Sequence, residues 1–211
     1  MKTKPLKIIL LIVFFVDLFF VFQNRTEQRF FTKTLLLPML TLIYLTEAKS
    51  KISQLNKTFI AGLIFSFLGD LFLLFNWGFL PGLGSFLLAH IFYIFCFKYL
   101  SKKKVAPKYA VIIFLYFISL IAFLYPYLNE MKIPVIVYGI TISTMLYFSL
   151  KTGNVKLILG ALMFVISDSV LAINLFVNKG TLLGVLVMMT YVAAQWYFVK
   201  GMLERKKVGK Y

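Results

Sequence analysis

Apolar runs close to the ~20 residues that a helix needs to cross a bilayer recur from one end of this chain to the other. Few folds accept such runs. In lipid every backbone N–H and C=O must be satisfied within its own segment, so a run of this length spans as a helix. Read between polar breaks, the chain offers eight: Leu6–Gln23, Thr34–Thr46, Thr58–Asn76, Phe79–Tyr99, Lys108–Pro126, Ile133–Leu150, Val155–Phe176 and Leu182–Lys200. The second is short and needs Phe30–Lys33, or a local adjustment, to cross. Of the 211 residues, 61% are hydrophobic and only 14% charged, where a soluble domain carries about 25% charge. The expected class is an all-α integral membrane protein: one domain over residues 1–211, with eight transmembrane helices. Its location is the cell membrane, as a multi-pass protein (the inner membrane in a bacterium).

Charge sets the expected orientation. The formal net charge of +16 would suit nucleic acid, but in a membrane chain topology explains it, because cytoplasmic loops collect Lys and Arg. With the termini and the even loops on one side, only five of the 23 basic residues face the other: Arg25, Arg29, Lys33, Lys132 and Lys179. Both termini are therefore expected in the cytoplasm, no basic residue lies deep in a span, and no nucleic-acid partner is expected. The N-terminus begins like a signal peptide but carries an acid and no small-residue cleavage site, so it reads as a retained first span.

Seven acids exist, and three of them, Asp17, Asp70 and Asp168, fall inside spans. A charge at mid-bilayer costs roughly 2.5–3.5 kcal/mol on insertion scales, so such residues face the bundle interior and carry function. All three lie on odd spans. Asp17 and Asp70 stand about 9 Å, and Asp168 about 12–15 Å, below the outer ends at 1.5 Å per residue. Carboxylates facing one cavity share protons, one holding what another has lost. Gly62, Ser66 and Asp70 follow at i, i+4, i+8, with Gly69 beside them. Ala161, Asp168 and Ala172 share a face flanked by Gly160 and Ser167. Small residues of this kind let helices approach closely. His90 and Tyr93 on the fourth span, and Tyr191 and Gln195 on the eighth, complete a candidate polar cavity in the outer half. Ser66 and Ser167 are placed to bond the Asp carboxylates, and Lys33 stands at the edge as a site residue or interfacial anchor.

One His and one Cys cannot build a His/Cys metal site, and no phosphate-binding glycine loop or HExxH occurs. No metal and no cofactor is expected. The residues alone leave three functions open. They are an acid–base hydrolase, a proton-coupled transporter or lipid-binding protein, and an intramembrane aspartyl protease. For the last, "FLGD" lacks the first Gly of Gly-x-Gly-Asp.

Four segments together resemble the YhhN family of integral membrane proteins, which includes lysoplasmalogenases. They are "SFLGDLFLL" (66–74), "GLGSFLLAHIFY" (82–93), "GALMFVISDSVLA" (160–172) and "YVAAQ" (191–195). The family's Lys stands shortly before a Pro, whereas Lys33 here precedes Pro38 by five residues. Asp17 matches no family motif. The resemblance implies hydrolysis of the vinyl ether of a lysoplasmalogen, or of a related lysolipid. The products would be a fatty aldehyde and glycerophospho-ethanolamine or -choline. It maps the family's Asp pair onto Asp70 and Asp168. Partners are then the lysolipid, water and membrane lipid. Which aspartate is acid, which is base, and the oligomeric state stay open at this point.

Overall fold

The computed structural model describes residues 3–49 and 56–204. Among them there is no strand. Eight α-helices follow in order: α1 Lys4–Phe22, α2 Thr26–Lys49, α3 Lys57–Phe72, α4 Phe79–Leu100, α5 Pro107–Leu124, α6 Lys132–Thr152, α7 Val155–Phe176 and α8 Thr181–Glu204. Two single 3₁₀ turns, Tyr125–Tyr127 and Asn129–Met131, join α5 to α6. The helices start and stop where side chains can satisfy the loose backbone ends. Asn56 Oδ1 accepts from Phe59 N at the start of α3, and Asn154 Oδ1 from Lys156 N at the start of α7, each at 2.9 Å. Gly153 ends α6 in the left-handed region at φ 64°.

Seven of the eight helices are long and apolar enough to cross a membrane. The chain is thus a multi-pass helical protein. The exception is α3, whose 16 residues extend about 24 Å at 1.5 Å per residue. It stops short of the Asn76 expected from sequence because the chain folds back on itself after Phe72. Gly78 packs so tightly on the Phe72 carbonyl that a Cβ there would overlap it.

The second correction concerns α2. It begins at Thr26, eight residues before the expected start, and runs 24 residues. The polar stretch "TEQRFFTKT" is helical because its charged side chains find partners on neighbouring helices. As a result Arg29 and Lys33 lie within α2, and Lys33 is buried, contrary to the expectation that no basic residue lies deep in a span.

Neighbouring helices close into a ring: α1, α2, α3, α4, α6, α7, α8 and back to α1. Helix α5 stands outside it, packed mainly against α6 and α7, and is the least buried of the membrane-length helices. The ring is filled by aromatic rings. Tyr93, Phe97, Phe164 and Phe198 are fully buried and pack on one another. Glycine is required where ring meets helix. A Cβ on Gly62 would collide with the Tyr93 ring, and one on Gly160 would come within 2.5 Å of Phe198.

Candidate active site

The interior face of α3 is met rung by rung from α4 and α8. Gly62 receives the Tyr93 ring, one turn on Ser66 meets Gln195, and one turn further Asp70 meets Tyr191. Tyr93 Oη donates to Gln195 Oε1 at 2.9 Å, and Gln195 Nε2 donates to Ser66 Oγ at 3.0 Å. Ser66 Oγ and Tyr93 Oη stand 3.4 Å apart. This buried triangle ties α3, α4 and α8 together and satisfies polar groups that lipid could not.

Above the triangle sits Asp70. Tyr191 Oη donates to its Oδ2 at 2.6 Å, and Lys33 Nζ lies 3.2 Å from its Oδ1. The Lys33 and Asp70 side chains are only 9% and 3% exposed, so this is a buried ion pair. Asp70 thus has a cation beside one oxygen and a phenol on the other.

Asp168 has a different environment. Tyr138 Oη of α6 donates to its Oδ2 at 2.5 Å. His90 Nε2 lies 4.0 Å from the same oxygen, beyond hydrogen-bond reach, and neither ring nitrogen of His90 has a hydrogen-bond partner among the described residues. The imidazole is instead wedged edge-to-face between Phe164 and Tyr138, with ring centroids at 4.7 and 5.2 Å. Asp168 is 14% exposed and opens onto two narrow apolar pockets. One, between α3, α4, α6 and α7, is lined by Leu73, Phe79, Phe86 and Leu175 among others. The other lies beneath α5.

The two carboxylates therefore occupy adjacent compartments, not one open cavity. Phe86 and Phe164 both pack on Tyr191, the partner of Asp70, at 5.8 and 5.4 Å. On their other side Phe164 packs on His90, and Phe86 lines the Asp168 pocket. Ser66 and Ser167 do not bond the acids as expected. Ser66, one turn below Asp70, reaches Gln195 instead. Ser167 donates to the Val187 carbonyl at 3.0 Å, because one residue along a helix turns the side chain about 100° away from Asp168. Asp17 is fully buried but serves α1 and α2, accepting from Thr32 Oγ1 at 2.7 Å with Arg29 Nε at 3.5 Å. Among the described residues no three His, Cys, Asp or Glu converge.

Tyr138 is the residue that sequence reading passed over. Its signal was present, a lone phenol beside Gly139 in the apolar run "IPVIVYGITIS". Nothing in the run itself says which neighbour that phenol meets.

A ring of seven helices, six of them long enough to cross a membrane, encloses two carboxylates, each hydrogen-bonded by a tyrosine; this defines a multi-pass membrane protein with a candidate polar site in its interior. The chain belongs to the YhhN family, whose model matches residues 28–202. Asp17 lies outside that stretch. Similar proteins include the human lysoplasmalogenase TMEM86B, 32% identical over 137 residues, which are 63% of this chain and 58% of that protein. The mouse lysoplasmalogenase TMEM86B is 32% identical over 143 residues, 67% of this chain and 62% of its own. A Mycobacterium tuberculosis lysoplasmalogenase is 30% identical over 142 residues, 63% of this chain and 54% of its own. The chain thus spans less than two thirds of the length of each of these relatives. No solved structure matches it significantly.

Proposed function

We propose that this protein is a membrane-embedded hydrolase that cleaves the vinyl ether of a lysoplasmalogen or a closely related lysolipid. The relatives' names support the substrate class. The observation that carries the chemistry is the unequal setting of the two acids. Asp70 is clamped by Lys33 and Tyr191, whereas Asp168 faces apolar pockets with one phenol donor.

Vinyl ether hydrolysis begins with proton transfer to the β-carbon, which leaves an oxocarbenium ion. Asp168, the carboxyl in contact with hydrocarbon space, is the proton donor, and Tyr138 orients it through Oδ2. The Asp70 carboxylate, one aromatic layer away, stabilises the cation across a medium of low dielectric. Water adds to the cation and returns a proton to Asp168. The hemiacetal then collapses to the fatty aldehyde and the glycerophospho-alcohol. One acid alternating with its conjugate base follows the logic of glycoside hydrolysis.

The orientation belongs to the same proposal. All eight helices cross, both termini face the cytoplasm, and Asp70 and Asp168 sit in the outer half. The test is aldehyde release from lysoplasmalogen by purified Asp70→Asn and Asp168→Asn variants. Both lose activity if the reading is right. Two folded and fully active variants would sink it. The buried charges along α2 also suit a proton-coupled transporter. Proton-dependent flux in liposomes without any aldehyde release would favour that alternative.

A further inference from the structure

The pocket beneath α5 does not end at Asp168. It is lined by Phe117, Leu120 and Leu124 of α5, Gly139 and Ser143 of α6, and Asp168 and Ala172 of α7. Its volume is about 60 Å³, room for little more than a few methylene-sized groups. A second, wider groove of about 370 Å³ runs along the outer, lipid-facing side of α5 and α6. Ala110, Phe114, Ile140 and Tyr147 line it. The two share Phe117 and Ser143. They are adjacent, with Phe117 and Ser143 standing between them.

The Phe117 ring packs against Gly139. A Cβ there would approach Phe117 Cε2 to 2.6 Å, so only glycine lets the ring seat against α6. Helix α5 is also held lightly. Among the described residues its one side-chain hydrogen bond to another helix is Tyr116 to Ser169, at 2.7 Å. The lining residues run from Ala110 to Leu124 on α5, about 21 Å of rise. That is some two thirds of the ~30 Å hydrocarbon core.

We propose that the α5–α6 groove binds the hydrocarbon chain of a single-chain amphiphile, which threads past Phe117 to Asp168. This rests on the hydrolase reading only for what happens at the chain's inner end. On the orientation given above, the chain runs from the acid toward the bilayer centre, the direction a lipid of the outer leaflet already has. A chain leaving lipid for this groove gains no hydrophobic free energy, since lipid tails are as apolar as the lining. Selection is therefore by shape, at Phe117, Gly139 and Ser143. A second acyl chain has no place in a path this narrow, so a diacyl lipid is excluded.

The experiment uses the full chain in phosphatidylcholine nanodiscs and saturated 1-alkyl lysophospholipids from octyl to octadecyl, one carrying a chain-borne diazirine. Photo-crosslinks are expected on α5 and α6, displaced by unlabelled octadecyl lysolipid and not by diacyl lipid. Ser143→Trp, which narrows the junction, should weaken octadecyl binding about tenfold and leave octyl binding within about twofold. Phe117→Ala, which opens it, should strengthen octadecyl binding. Equal displacement by diacyl lipid, crosslinks elsewhere, or equal effects on short and long chains would overturn the proposal. A saturated ether has no double bond to protonate, so the measurement is independent of catalysis. Binding of these ethers, with no aldehyde released from the vinyl-ether lysolipid in a parallel assay, would leave this site standing and remove the hydrolase reading instead.

Discussion

Lys33→Met removes the cation that lies 3.2 Å from Asp70 and leaves the carboxylate in the bundle interior. At an effective dielectric of 20 the attraction at that distance is about 5 kcal/mol. Desolvating both groups offsets much of it, so the intact pair contributes little net stability. Breaking it by deleting one partner is different, because the remaining charge stays buried and costs about 3–5 kcal/mol. Tyr191 Oη still donates to Asp70 Oδ2 and softens the loss, which places the expected destabilisation near the lower figure. Adding Asp70→Asn to Lys33→Met removes the stranded charge, so the double variant should recover stability relative to Lys33→Met alone. The assay is reversible unfolding of the four members of the cycle in mixed micelles, each also tested for aldehyde release. A Lys33→Met variant destabilised by less than about 1 kcal/mol would refute the reasoning. So would effects of the two single changes that add within about 0.5 kcal/mol. Either result would mean that removing Lys33 strands no buried charge on Asp70.

Two further outcomes follow from the same contacts. Tyr138→Phe keeps the ring against His90 but deletes the donor to Asp168 Oδ2. Turnover should fall about 10–100-fold with KM within about twofold, since only proton transfer is affected. A change confined to KM or to thermal stability would contradict the positioning role. Gln195→Leu orphans Ser66 Oγ and Tyr93 Oη, which then have only each other at 3.4 Å. Hydrogen bonds in membrane proteins average about 0.6 kcal/mol, so losing two should cost about 1–2 kcal/mol in unfolding experiments. A variant as stable as the parent would show that the triangle is not formed.

Particular residues mark how far the sequence could be read. The i, i+4, i+8 series Gly62, Ser66 and Asp70 was legible because helical period alone puts the three on one face, and cost alone turns that face inward. The matching Tyr191 and Gln195 on the eighth span were legible for the same reason. The start of α2 was not. Arg29, Thr32 and Lys33 look like loop residues because local hydropathy sees charge and cannot see Asp17 and Asp70, which accept it from other helices. The roles of Ser66 and Ser167 were misassigned because adjacency in sequence says nothing of which helix stands opposite.

By itself, then, the sequence determined the class, the approximate positions of the helices and the polar residues that had to turn inward. These follow from hydrogen-bond satisfaction in lipid and from helical periodicity, which are properties of one segment at a time. Only the tertiary structure decided the partners. It gave Lys33 to Asp70 and Tyr138 to Asp168, and set the rings of Phe86 and Phe164 between the two compartments. It also left α5 outside the ring. Each of those depends on which helices become neighbours, and packing between spans is a matter of shape that no single span carries.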